Sequence, residues 1–211
     1  MTIASDIRFW DRASQKYARG AVADPAGYQR TLDRTRALLH RTDNVLELGC
    51  GTGTTALLLA GHVQSYLATD ISVAMIAIAG EKLAAHPIPG LAFRATTAEA
   101  LAPTAQRFDA VLGFNYLHLV RDLPETLRCV HALLVPGGVV ISKTPCVGEM
   151  NPLIRLVLPA MRAIGKAPHA GVFRTSELTR QMEIAGFDIL AVELHATKGN
   201  DRRPYIVARK R

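Results

Sequence analysis

The residues with the clearest chemical potential lie between Val45 and Asp70. Glu47 stands two positions before three alternating glycines, Gly49, Gly51 and Gly53, with Cys50 and Thr52 between them. Glycine lets a backbone turn sharply and approach a ligand that a β-carbon would hold away. The helical pattern that follows, TTALLLAGH, aims its N-terminal amides at the same spot. A carboxylate beside such a turn suits a cationic, amine-bearing ligand and sits badly next to a pyrophosphate. Gly51-x-Gly53-x-x-Ala56 also satisfies a loose dinucleotide pattern, so glycine spacing alone leaves a nicotinamide-dependent oxidoreductase open. Asp70, 17 residues beyond Gly53, closes the next strand pattern and is placed to accept both hydroxyls of a ribose. Its plainer alternative is a helix cap before Ser72.

These residues need a parallel sheet to hold them. From Asn44 onward, short apolar runs alternate with longer helical patterns, which is the signature of βαβ units. Strands are predicted at NVLELG, SYLATD, GLAFRA, FDAVLGF and VVISKT, with FDILAVEL and RPYIVAR as a closing pair. The tight KGNDRR connection between the last two allows them to run antiparallel. Ile71, Met75, Ile78 and Leu83 recur at helical spacing, and Asp122 to Leu134 forms an amphipathic helix stopped by Pro136-Gly137-Gly138. The first 40 residues read as helix with a turn near Asp24-Pro25. Thr175 or Ser176 caps a helix ending at Gly186.

The glycine turn, Asp70-Ile71-Ser72, Phe108-Asp109-Ala110-Val111 and Leu134-Val135-Pro136-Gly137-Gly138 occur in one order and spacing. In these motifs the chain, from about Phe9 onward, resembles the class I S-adenosylmethionine-dependent methyltransferases of small-molecule type. That resemblance implies an α/β, doubly wound, Rossmann-like seven-stranded sheet of order 3-2-1-4-5-7-6, the last strand antiparallel. It implies S-adenosylmethionine as cofactor, with Gly49, Cys50, Gly51 and Gly53 under its methionine part and Glu47 near the amino group. Asp70 would hold the ribose, and Ile71 and Met75 one face of the adenine. Thr97, Ala98 and Glu99 would meet the adenine edge, and Phe114 and Asn115 the methionine end. Thr97 stands where the family commonly has an aspartate, so adenine recognition would lean on the Ala98 backbone or on Glu99. Phe9-Trp10-Asp11-Arg12 with Tyr17 resembles the lead-in helix that closes over the cofactor. Tyr17 would reach the methionine carboxylate or pack that helix onto the core.

His118 follows the fourth strand and should face the methyl side of the site, as a general base or as a packing residue. The 211 residues fit one domain, with residues 1–40 as a helical lead-in and 145–173 as a lid-like insertion. The net charge of +7 is uneven: residues 1–41 and 151–211 are basic, whereas 42–150 carry six Lys/Arg against nine Asp/Glu. Asn151 to Gly165 forms a helix with Leu153, Ile154, Val157, Leu158, Met161 and Ile164 on one face and Arg155, Arg162 and Lys166 in a stripe. It either covers the sheet, lids an amphiphilic or acidic acceptor, or rests on an anionic membrane. Cys50, Cys129 and Cys146 have no metal-ligand spacing, which argues for reduced thiols and no metal. No signal peptide or membrane span is evident, pointing to the cytoplasm. Phe114-Asn115-Tyr116-Leu117 lacks the Pro-Pro-aromatic run of base-amine methyltransferases, which argues against a nucleic-acid acceptor. The function expected is methyl transfer to a small molecule, with an oxidoreductase or a non-catalytic S-adenosylmethionine-binding protein as alternatives.

Overall fold

A computed structural model of the chain describes residues 2–150, 157, 161–162, 167–197 and 202–211. Seven strands form one sheet in the order β3-β2-β1-β4-β5-β7-β6. They are β1 (Asn44–Leu48), β2 (Ser65–Asp70), β3 (Leu91–Ala95), β4 (Phe108–Phe114), β5 (Leu134–Lys143), β6 (Phe187–Glu193) and β7 (Tyr205–Lys210). The first five pair in parallel, and β7 runs antiparallel to both β5 and β6. The helices are α1 (Ile3–Ala18), α2 (Pro25–Arg36), α3 (Thr54–Leu59), α4 (Val73–Ala85), α5 (Ala98–Leu101), α6 (Leu123–Leu133) and α7 (Thr175–Ile184).

Side chains alternate across each strand, so every buried strand feeds two cores. Leu46 and Leu48 of β1 join a cluster with Leu127, Leu133, Met182 and Phe187. Val45 faces the other way, among Leu59, Tyr66, Leu112 and Tyr205. Glu47 shares Val45's face by the same alternation. A carboxylate therefore ends up inside an apolar layer, only 2% exposed.

Local chemistry accounts for the helix starts. Asp24 caps α2 by accepting from the Gly27 amide at 3.0 Å, with Pro25 pre-set for the first turn. Ser72, not Asp70, caps α4: its hydroxyl accepts from the Met75 amide at 3.1 Å. At α7 the helix begins at Thr175, and Glu177 reaches back to the Arg174 amide.

β5 differs from expectation, starting at Leu134 rather than Val139. Pro136 and Gly137 do not end the helix and free a loop. Instead Leu134 pairs with Phe108, the register shifts, and pairing resumes at Ala110–Val139. The short α5 also escapes a sequence reading, because four residues show no helical period. Most of the predicted helix from Asn151 to Gly165, all but Val157, Met161 and Arg162, and most of the KGNDRR turn lie outside the described residues.

The lead-in helix α1 is tied to the sheet by two acids. Asp11 accepts from the Ser72 hydroxyl at 2.6 Å and the Ala74 amide at 3.3 Å, seating α1 on the N-terminus of α4. Asp6, 6% exposed, accepts from Arg121 at 2.9 and 2.5 Å and from the His169 amide at 3.2 Å. Asp11→Ala should therefore lower stability by roughly 1 kcal/mol, about 2–4 °C in Tm. Amide exchange across residues 3–18 should speed up with it. Unchanged exchange in α1 would show that Asp11 is not what holds the helix down.

Candidate functional site

The carboxyl ends of β1, β2 and β4 meet at one edge of the sheet, where strand order reverses. β1 delivers Glu47 and the turn after it. Gly49 has φ +70°, and a β-carbon there would fall 2.6 Å from the ring of Tyr116. Gly51 has φ +54°, and its missing β-carbon leaves room for the edge of the Tyr17 ring. The turn is thus closed by aromatic rings on both sides, and any larger residue would displace one.

Asp70 holds the turn from β2. Its two carboxylate oxygens accept from the Gly51 amide and the Ser72 amide, each at 2.9 Å. Each oxygen keeps acceptor capacity for a further donor. Burial raises its pKa, against the pull of those amides.

Glu47 is the more extreme carboxylate. The Tyr66 hydroxyl donates to it at 2.8 Å, yet burial still pushes its pKa up to about 7. A buried acid without a cation is costly, and an incoming ammonium would offset that cost.

Two cavities open at this edge. The first, of about 520 Å³, is lined by Asp70, Ile71, Met75, Thr97, Glu99 and Thr126 among others. The second, of about 640 Å³, takes in Glu47, Cys50, Tyr28, Thr31 and Lys143. Tyr17, Gly49, Phe114 and Asn115 line both, with Trp10, Pro168 and Arg203, and form the wall between them.

Most of the expected residues converge here, but four do not sit as anticipated. Ala98, the first residue of α5, is fully buried and is not part of either cavity lining. Gly53 lines neither cavity; it opens α3 with φ +76° and lets Phe93 and Ala79 close in. Cys50 and Glu47 face the second cavity rather than the first. Thr97 caps α5 through the Ala100 amide at 3.3 Å, and Glu99 accepts from the Thr126 hydroxyl at 2.7 Å. Tyr17 is half exposed, edge-on to Trp10 at 6.3 Å. Asn115 adopts φ +52°, with its amide donating to the Lys143 carbonyl at 2.7 Å.

His118 lines the first cavity. Its Nδ1 is buried without a hydrogen-bond partner, and burial beside His169 lowers the pKa to about 4. The ring is therefore neutral at physiological pH, open to a proton but weakly basic. Sequence reasoning missed Thr126, Arg121, His169 and Arg203. They come from a helix, two loops and the β6–β7 connection, and no local pattern links them.

A family model described as a methyltransferase domain matches residues 16–192. The chain belongs to that family. Its sheet order is that of the class I, S-adenosylmethionine-dependent enzymes. The methyltransferase is 35% identical over 100 residues to a ubiquinone biosynthesis O-methyltransferase of Methylocella silvestris, covering 47% of this chain and 39% of that protein. It is 36% identical over 107 residues to a hybrid PKS-NRPS synthetase of a Neonectria species, covering 46% of this chain and 3% of that protein. The chain thus spans about two fifths or less of the length of these curated relatives. In structure it is similar to an S-adenosylmethionine-dependent methyltransferase from Mesorhizobium loti, with TM-score 0.71 and 23% identity over 88% of this chain and 99% of that one. DhpI in complex with SAH gives 0.72 and 24%, over 99% and 96%. The [4+2]-cyclase SpnF gives 0.72 and 17%, over 97% and 94%.

The residues present would fit the cofactor: Glu47 is a buried acid that an amine would offset, Asp70 keeps acceptor capacity for hydroxyls, and Ile71 and Met75 line the cavity beside it. Glu47 must be ionised to pair with an ammonium, and in the ligand-free protein it loses its proton at about pH 7. Affinity for S-adenosylhomocysteine should then climb between pH 5.5 and 7, by up to about tenfold per unit, and level off above. Glu47→Gln should bind more weakly and show a flat profile over that range. A sloping profile in the variant would assign the titration to another group.

Proposed function

We propose that this methyltransferase acts on a small molecule, with adenosine in the first cavity and the methionine end crossing the shared wall toward Glu47. The observation that carries this reading is the pair of cavities meeting at Gly49, Phe114 and Asn115. Each has the size of a small-ligand site, and the wall between them is built from the residues expected at the methionine end. On this reading the whole chain is one methyltransferase domain. Residues 1–40 are its lead-in, and Pro168 and His169 line the site beside it.

Asp70 accepts from the ribose hydroxyls while it keeps the Gly51 and Ser72 amides. Ile71 and Met75 take one face of the adenine, with Thr97 and Glu99 at its edge. Tyr17 closes over the glycine turn near the methionine carboxylate. The cofactor supplies an electrophilic methyl group on a sulfonium centre. The chain's task is then to hold the acceptor's reactive atom in line at the shared wall and to keep water out, which contributes much of the rate. Trp10 and Pro168 make that wall apolar. The acceptor's lone pair would face the methyl carbon there, and the cofactor's sulfur would keep the electron pair of the carbon–sulfur bond. The acceptor's proton passes to the neutral His118 ring.

A family with the [4+2]-cyclase SpnF as a fold neighbour needs a direct assay for transfer. Incubation with methyl-tritiated S-adenosylmethionine and a panel of phenols, carboxylic acids and amines should move label into a small organic product. Label appearing only in added RNA, or in no acceptor, would overturn the small-molecule reading. His118→Asn should lower kcat by at least about 100-fold and leave S-adenosylhomocysteine affinity within twofold. An unchanged kcat would make His118 a packing residue.

A further inference from the structure

The glycine turn is held from two places, and the acid that ends β2 accounts for one of them. There Asp70 accepts from the Gly51 amide at 2.9 Å. About three turns further along the chain, near the end of α4, Lys82 reaches back to the same segment. Its ammonium donates to the Thr52 carbonyl at 2.9 Å, to the Thr52 hydroxyl oxygen at 3.1 Å and to the Thr54 hydroxyl oxygen at 3.4 Å. An ammonium has three donors, so all of them are committed to one short stretch of chain.

A surface lysine ordinarily keeps its head group in water or meets a carboxylate. Here burial pulls the pKa below the usual lysine range, and each oxygen that the ammonium meets is uncharged. The contacts matter more to Thr52 than to Lys82. Thr52 is 3% exposed, and among the described residues neither its carbonyl nor its hydroxyl oxygen accepts from any other group. Without Lys82, two buried oxygens would stay unpaired in the middle of the turn, a costly state that the backbone leaves by moving. Little in the local chain resists such movement, because Thr52 stands between Gly51 at φ +54° and Gly53 at φ +76°.

Lys82 lines neither cavity, whereas Thr52 borders the second together with Glu47, Gly49 and Cys50. Any influence of Lys82 on a ligand therefore runs through the turn. We propose that Lys82 is a positioning residue for the cofactor, holding the Thr52 segment in the shape that receives the methionine end before the ligand arrives. This inference rests on the methyl-transfer reading.

The same fold supplies a matched control. Lys210, the last residue of β7, donates to the His131 and Leu134 carbonyls at 2.7 and 2.8 Å, and burial lowers its pKa too. Because β7 runs antiparallel to β5, Lys210 stands at the sheet edge opposite the site. It is a desolvated lysine on neutral oxygens with no glycine turn to hold.

The test compares Lys82→Met and Lys210→Met with the wild-type chain, by calorimetric titration with S-adenosylhomocysteine and by amide exchange across residues 49–54. Lys82→Met should bind at least about fivefold more weakly, with exchange across the turn at least about tenfold faster. Lys210→Met should keep its affinity within about twofold and its turn exchange unchanged, even where its Tm falls as far. Should Lys82→Met not fold, Lys82→Gln, which keeps a neutral donor, takes its place with an expected loss of at least about threefold. A smaller loss overturns the proposal. So does an equal loss in Lys210→Met, which would make the effect one of general stability. Weakened binding with unchanged exchange overturns it as well, because the cation would then act on the ligand without the turn. If the wild type binds no S-adenosylhomocysteine, the methyl-transfer reading falls and this proposal with it; faster exchange in Lys82→Met alone would then mark a clamp that serves another ligand.

Discussion

A carboxylate held away from water at the end of the first strand is the constraint around which this site is organised. Strand alternation sends Glu47 to the same face as Val45, into an apolar layer where ionisation is costly. One hydroxyl, from Tyr66, reduces the cost without removing it. A fold keeps such a group at small net loss when a cation completes it, and S-adenosylmethionine carries one in its amine. The glycine turn follows from the same constraint. The backbone must leave β1 abruptly so that a ligand can come close to Glu47, and Gly49 and Gly51 take left-handed conformations to do it.

Around that point the second acid and the lead-in helix act together. Asp70 fixes the glycine turn by its Gly51 bond and the α4 start by its Ser72 bond. Asp11 then ties α1 to the same α4 start through the Ser72 hydroxyl. The helix that brings Trp10 and Tyr17 over the turn is therefore registered to Asp70. Asp6, Arg121 and the His169 amide close the other end of α1 against the loop after β4. Cofactor site and cover are parts of one hydrogen-bonded frame.

Much of this was legible in the sequence, for a physical reason. The sheet and its glycine turn are local patterns: an apolar run, an acid, alternate glycines, then a helical period. Sheet order and the placement of Glu47, Asp70, Ile71 and Met75 follow from them and from the family resemblance. What depends on tertiary meeting was not legible. The extension of β5 through Pro136 comes from a register shift against β4. The burial of Ala98 comes from a four-residue helix too short to show a period. The buried chain from Lys143 through Thr31 and His195 to Glu193 joins residues more than 100 positions apart.

The central claim is that Asp70 and the glycine turn hold S-adenosylmethionine. Calorimetric titration of the purified chain with S-adenosylhomocysteine, wild type against Asp70→Ala, tests it most directly. The account predicts one-to-one micromolar binding and at least a tenfold loss in the variant, or about 1.4 kcal/mol. Equal affinity in both proteins, or no binding by the wild type, would contradict it.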